Sequence, residues 1–424
     1  MTGFCSRSKH ALGLATLATF ALLAPLAGAA RAEGLPAQLG AGYSHTCTRK
    51  ADGTLWCWGA NDSGQLGNGT TSPSSVPIQV TALGTEVAQV SVGDLFTCAV
   101  KVDHTLWCWG NNVAGQLGDG LTDDSLVPVR ITAIGNDVAE VSAGDLYTCA
   151  RKGDQTLWCW GSGFLGDGPS IQRSIPGQVT ALGNSVVQVS TGGAATCARK
   201  SDGTLWCWGD NEFGIIGDGT TVDRLTPVQV SGLGNTVAEV SVGDLFACAR
   251  KTDGNVWCWG TNDHGQLGDG STADHFTPAV IIGLGKPATQ ISASGRHACA
   301  LRNDGALGCW GSNFGGEVGD GTVIDRPNPV KVSVLPNNVV EVSAGVNHDT
   351  CARMGDGRVA CWGLNDNGQL GDGTTISRRV PVLAIGPTVG PPAVPAGGAW
   401  TSALLVLLLT GLALRRLARP VARV

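Results

Sequence analysis

Apolar and polar residues alternate in short runs along most of this chain, and the runs recur. Leu-Trp-Cys-Trp-Gly stands at 55–59, 106–110, 157–161 and 205–209, sending successive side chains to opposite faces with the period of a β-strand. Pro227-Val228-Gln229-Val230 and the Val-Ala-Glu-Val-Ser runs at 138–142 and 237–241 add further short strands, with Gly-rich turns between them. Outside the two ends nothing sustains a helical period. Four short strands in about 50 residues have the dimensions of a propeller blade.

The cysteines give the period. Cys47, Cys98, Cys149, Cys197, Cys248, Cys299 and Cys351 are spaced by 51, 51, 48, 51, 51 and 52 residues, and each is followed ten residues later by Cys57, Cys108, Cys159, Cys207, Cys258, Cys309 and Cys361. Seven equal units point to a propeller or a solenoid, and a solenoid would show altered capping repeats at its ends. The last unit stops at Val382–Gly386, where the others run on into a Val-x-x-Val-Ser-x-Gly strand, and a matching segment stands at Leu35–Gly42. The expected fold is therefore all-β, a seven-bladed β-propeller closed by N- and C-terminal strands that share one blade, since closure removes open strand edges.

The two ends differ from the body. Arg7, Lys9 and His10 lead into an apolar stretch, Ala11–Leu26, followed by small-residue sites at Ala27-Gly28-Ala29 and Ala30-Arg31-Ala32; this predicts a secretory signal over 1–32, with Cys5 removed along with it. The propeller is expected over 33–386, a Pro/Gly linker over 387–398 and a short apolar segment with a basic end over 399–424. Sixteen apolar residues, Ala399–Leu414, are short for a membrane span. Arg415, Arg416 and Arg419 would keep the extreme C-terminus on the cytoplasmic side. Val394-Pro395, Trp400, the leucine run and the closing arginines resemble the C-terminal sorting tails of Gram-negative bacteria. That resemblance implies attachment to the membrane through the tail before any processing, and residence in the cell envelope or outside the cell.

Charge narrows the partners. Seven of the 28 basic residues lie in the two ends, which hold none of the 34 acids, so residues 33–390 carry 21 Lys and Arg against 34 Asp and Glu. A body this acidic repels phosphate backbones, which argues against nucleic acid.

The seven units resemble the repeats of the regulator-of-chromosome-condensation family. The resemblance rests on Gly42–Thr46, Asp52-Gly53, Trp58-Gly59 and the loop Asn61–Gly69, which recurs at 112–120, 262–270 and 365–373. It implies a seven-bladed propeller. It does not imply the nuclear exchange activity of the eponymous member, which uses elements outside the repeats. An exported bacterial propeller of the family that inhibits β-lactamases is a nearer functional analogue.

With Gly53 left-handed in a three-residue loop 51–53, Lys50 faces Thr54 and Cys47 falls opposite Cys57 in a non-hydrogen-bonded pair. A two-residue loop would set Cys47 against Trp58 instead. The Cα separation typical of such pairs admits a disulfide, and an even set of 14 cysteines in an exported body predicts seven bridges within the blades. Zinc would need four ligands in one place, and a redox dithiol would not recur seven times.

Other residues are expected to serve structure. His45, His297 and His348 are assigned to one repeat position, shared with Phe96, Tyr147, Ala195 and Phe246, which suits packing between blades. The Asp-Gly loops lack the ligand ladder of a calcium site, and the paired tryptophans, such as Trp56 and Trp58, are expected to pack blade on blade. No cofactor, metal site or catalytic set is expected, and no acid–base set is visible for the central channel. Variation is concentrated between Gly-Asp-Gly and Pro-Val, where Asp123, Asp124, Arg173, Arg224, Asp274, Arg326, Arg378 and Arg379 are the candidate binding residues. Phe276 is the aromatic noted among those loops, which leans against stacking on glycans. A constant frame with variable loops predicts a non-catalytic module that recognises a protein partner at the cell envelope. The alternative is an inhibitor of a partner enzyme by the same surface.

Overall fold

The computed structural model describes residues 38–169 and 171–386. The signal, linker and tail segments expected at 1–32, 387–398 and 399–424 lie outside the described residues. Seven four-stranded antiparallel sheets follow one another along the chain. In the first, β1 (Gln38–Ala41), β2 (His45–Arg49), β3 (Leu55–Gly59) and β4 (Ser74–Gln79) form a meander. The later blades span 87–130, 138–178, 186–229, 237–280, 288–331 and 339–383.

The first strand of every blade lines the central channel. The second pairs with the third across a tight hairpin whose left-handed place holds glycine in five blades and His104 and Gln155 in the other two; in the first, Gly53 has φ +79° and Lys50 N–H donates to Thr54 O at 2.9 Å. That loop sets the register Cys47↔Cys57, and the structure joins all seven pairs with Cα atoms 4.1 Å apart. A bulge between the third and fourth strands recurs in all seven sheets and turns the outer strand away.

The core lies between blades rather than within one. Cys47, Leu55, Leu66, Val80 and Leu83 of the first unit pack with Val87, Val90, Ala99 and Trp109 of the second. Each long loop also fastens the next blade. Buried Asn61 receives Leu66 N–H on Oδ1 at 2.9 Å and donates Nδ2 to the carbonyls of Thr70 and Ser72, holding the loop in shape. The Gln65 carbonyl then accepts Trp109 Nε1 and Thr97 Oγ1 of blade two, both at 2.9 Å.

One expectation fails. No blade is shared between the termini: residues 38–79 build the first sheet alone and residues 339–383 the last. The reason is that the channel strand comes first in every unit, so a short local connection completes each meander. Closure uses the bonds of the other junctions. Ala41 N–H donates to Ser343 Oγ at 2.9 Å, Leu39 N–H to Glu341 Oε1 at 3.0 Å, and Trp58 Nε1 to the Gln369 carbonyl at 2.7 Å.

A second correction concerns the histidines. His45 and His297 do occupy the inter-blade position, with Nε2 2.8 Å from Thr97 Oγ1 and Thr350 Oγ1 of the following blades. In the seventh blade that position belongs to Asp349, which faces Gly363 as His45 faces Gly59. The 52-residue spacing there pushes His348 one place back into the loop, at φ +58°.

Candidate functional site

An up-and-down meander sorts its loops. Those after the first and third strands lie on one face of the ring, and the tight hairpins and blade connections lie on the other. Side-chain contacts between blades join loops of the first kind. Arg296 Nη1 donates to His264 Nε2 at 3.1 Å, and His348 Nδ1 donates to Glu317 Oε1 at 2.7 Å. Arginine can only donate, so His264 carries its proton on Nδ1, 2.7 Å from Asp325 Oδ2.

The candidate binding residues lie on this face, but six of the eight are committed to their own loops. Arg224 Nε donates to Asp218 at 2.6 Å, Arg326 Nε to Asp320 at 2.6 Å and Arg378 Nη2 to Asp372 at 2.8 Å, while Arg173 pairs with Asp167. Asp124 and Asp274 accept the backbone N–H of Asn112 and Asn262 at 2.7 and 2.8 Å. Only Asp123 and Arg379 stay exposed and unpaired among the described residues. The six-residue step from Asp to Arg, repeated in four units, was the signal in the sequence for this internal use.

What the face offers instead is apolar. Val113, Phe213 and Phe314 project from tips of the long loops, Phe314 with 74% of its surface exposed. Tyr43, Leu95 and Leu146 stand exposed beside the channel, and Leu121, Val222, Ile324 and Ile376 lie on the variable loops. Phe276 therefore has aromatic company in Phe213 and Phe314, which lie outside the variable loops.

The channel mouth carries titratable groups that the sequence reading missed. The channel is a cavity of about 230 Å³, walled by the first strands and ending at Asp94, Asp145 and Asp244. Burial and the charges of Asp145 and Asp244 push the Asp94 carboxyl far up, and it shares a hydrogen bond with Asp145. Asp145 is also raised by burial, against that bond. Asp244 is pushed to about 7 by burial and by Asp145, with Arg296 and His348 pulling the other way. Burial and mutual repulsion thus favour a proton held within the Asp94–Asp145 pair. In the fourth unit the same place is Gly193, where a Cβ would sit 3.2 Å from Asp145 Oδ2 and 3.6 Å from Asp244 Cβ. The missing side chain leaves room for the acids on either side.

Beside the mouth, Glu317 replaces the glutamine found at 65, 116, 266 and 369. Burial pushes its pKa up, but the His348 hydrogen bond and the charges of His297 and His348 outweigh this and leave it below the ordinary value. Ser312 Oγ and Gly315 N–H supply two more donors at 2.8 Å. Among the described residues no three His, Cys, Asp or Glu side chains converge as metal ligands would, and no helix is long and apolar enough to cross a membrane.

The raised carboxyls have a pH consequence. A group whose folded pKa lies above its unfolded one stabilises the fold fully below the unfolded value and loses that contribution as pH rises through the folded value. Below about pH 6.5 the buried His45 and His297, whose pKa values burial lowers to about 3 and about 4, act in the opposite sense, so thermal stability should fall through Asp94 and Asp244 between about pH 6.5 and 8. Asp94→Asn should flatten that slope and raise the melting temperature at pH 8, which calorimetry across pH would measure. A slope unchanged by the substitution would remove the protonated pair.

Comparison with known proteins places these features in a family. The model for the RCC1-like domain matches residues 8–351, and models of the regulator of chromosome condensation (RCC1) repeat match 339–369 and 356–405. The chain is 32% identical over 348 residues to the ultraviolet-B receptor UVR8 of Arabidopsis thaliana, covering 81% of this chain and 68% of that protein. It is 31% identical over 314 residues to the human E3 ubiquitin-protein ligase HERC2, covering 72% of this chain but 6% of the ligase. Among solved structures, yeast RCC1 (Prp20) bound to Kap60 superposes with a TM-score of 0.71 at 22% identity, over 79% of this chain and 84% of that one. Human WBSCR16 superposes with a TM-score of 0.71 at 21% identity, over 79% and 94%. At these identities the superpositions speak for the fold.

Proposed function

This chain belongs to the RCC1-like family, and from that footing we propose that it is a non-catalytic recognition module whose loop-bearing face docks a protein partner at the cell envelope. One observation carries the proposal: Val113, Phe213, Phe314, Tyr43, Leu95 and Leu146 are exposed on loops of the face where the units vary. Apolar groups held in water by a rigid, disulfide-braced frame mark an interaction surface. The partner is a protein rather than nucleic acid, because the body is acidic.

Export is part of the proposal. Seven disulfides suit an oxidising, extracytoplasmic compartment. The basic, apolar and small-residue order of 1–32 suits a secretory signal. The linker 387–398 and tail 399–424 would then hold the ring at the membrane, or mark it for sorting there, with the loop-bearing face free.

The oxidised protein, immobilised and exposed to envelope extract, should retain one protein near stoichiometry, identified by mass spectrometry. A variant carrying Val113→Asp, Phe213→Asp and Phe314→Asp should lose most of that retention, while Lys152→Glu with Lys200→Glu on the opposite face should keep it. Equal retention by both variants would reject this face as the docking surface. No retained protein at all would reject a protein partner. If the retained protein is an enzyme, its activity with and without the propeller decides whether recognition also inhibits.

A further inference from the structure

One place in the long loops repeats around the ring. In six blades a buried asparagine accepts, on Oδ1, the backbone N–H five residues further on, at 2.9 to 3.0 Å, and so fixes the loop tip. The residue after that asparagine is exposed in all six. It is Asp62, Glu212, Asp263 and Asp366 in four blades, and Val113 and Phe314 in the other two. The third blade, whose unit is three residues short, has no asparagine there. The four carboxylates have no hydrogen-bond or ion-pair partner among the described residues. Fixed tips hold them out in water, so little ordering is needed when a partner arrives.

Charge is divided unequally between the two faces. The loops after the first and third strands carry twenty Asp and Glu, but of Lys and Arg only Arg296. Arg173, Arg224, Arg326 and Arg378 near the starts of the fourth strands are each held by an aspartate of their own loop. The other face is balanced. Each of its seven hairpin aspartates has a lysine or arginine beside it, from Lys50 at Asp52 to Arg358 at Asp356. Charge kept only for solubility would be spread over both faces. Here the excess of acid lies on the face that exposes Val113, Phe213 and Phe314.

We propose that the loop-bearing face takes a basic protein, whose lysine and arginine side chains meet Asp62, Glu212, Asp263 and Asp366 while an apolar patch covers Val113 and Phe314. The inference rests on the docking reading of the same face and adds the chemistry of the partner. Because acidic and apolar tips share one repeat position, a single partner surface can meet both. Opposite charge speeds encounter and selects among partners, while apolar contact at the tips supplies the hold. The same carboxylates turn away acidic proteins.

A labelled oligolysine peptide, with oligoglutamate as the sign control, tests the charge by fluorescence anisotropy on the full oxidised chain. Oligolysine should bind and oligoglutamate should not. Binding should weaken as salt rises above about 0.1 M, where charges beyond about 10 Å are screened. Asp62→Asn, Glu212→Gln, Asp263→Asn and Asp366→Asn together should weaken oligolysine binding at least about fivefold. The same change of charge on the other face, by Asp137→Asn, Asp154→Asn, Asp202→Asn and Asp253→Asn, should weaken it less than about twofold. Asparagine keeps the Oδ1 acceptor that closes the three hairpins in that set. Equal weakening by the two sets would overturn the inference, as would equal binding of the two peptides. Retention from envelope extract separates this from the reading beneath it. A retained protein that the set neutralised at the loop tips still holds in full would overturn the basic partner and leave the docking face standing. Face-selective oligolysine binding with no protein retained would overturn the protein partner itself.

Discussion

Full reduction of the seven disulfides is expected to lower the melting temperature by on the order of 10 °C, or to abolish cooperative unfolding. Each bridge closes a loop with a sequence separation of 10. The chain-entropy account assigns such a loop up to about 2.5–3 kcal/mol. A hairpin already partly closed in the denatured chain keeps less. At a third of the full value, seven bridges still sum to roughly 7 kcal/mol, comparable with the 5–15 kcal/mol by which domains are stable at all. All 14 bridged cysteines are buried, so reductant reaches them only when a blade opens. Thermal scans with and without prior reduction in denaturant would measure the effect. A shift of only a few degrees would mean that packing between blades holds the ring without the bridges.

The second large effect belongs to the tryptophans between blades. Trp259 is fully buried and donates Nε1 to the Ile215 carbonyl of the preceding blade at 2.7 Å. Trp259→Ala should cost about 3–5 kcal/mol, the usual loss for emptying a large aromatic site. Phenylalanine separates packing from hydrogen bonding. Trp259→Phe keeps most of the packing and strands a buried carbonyl, for about 1–3 kcal/mol. Trp208 is equally buried but its Nε1 has no partner among the described residues. The third unit is three residues short and lacks the Gly-Gln step whose carbonyl would receive it. The Tyr147 hydroxyl stands in for that carbonyl toward Thr196 Oγ1, at 3.0 Å, but not toward Trp208. Trp208→Phe should therefore cost roughly 1 kcal/mol or less, since it removes an unsatisfied donor. Urea titration of the two phenylalanine variants gives the comparison, and equal costs would show that the missing bond at Trp208 has been replaced by water.

The strands, the hairpin loop and the cysteine pairs were legible because each depends on residues close together in one unit. Gly53 fixes the turn, the turn fixes Cys47 opposite Cys57, and the same local chemistry recurs around the ring. Ring closure was not legible in the same way. Whether Leu39 completes its own sheet or another depends on which strand of the unit comes first, and alternation along a strand is silent on that. The channel mouth was hidden for a different reason. Asp94, Asp145, Asp244 and Arg296 come from four blades, and each alone looks like an ordinary turn residue. Only the ring makes them neighbours. The variable loops misled in the opposite direction, since Arg224, Arg326 and Arg378 look free in sequence but spend their charge on an aspartate six residues earlier.

The closure at Ser343, Gln369 and Glu341 sets how the molecule comes apart. In an open array the terminal repeat has one neighbour, so it can peel away by losing a single interface, and the rest can follow from that end. Here every blade has two neighbours, the first and last included. No blade is a starting point for unzipping, and releasing any one of them breaks two interfaces at once. A protein built this way gives up gradual fraying, and its partial openings are rare and large.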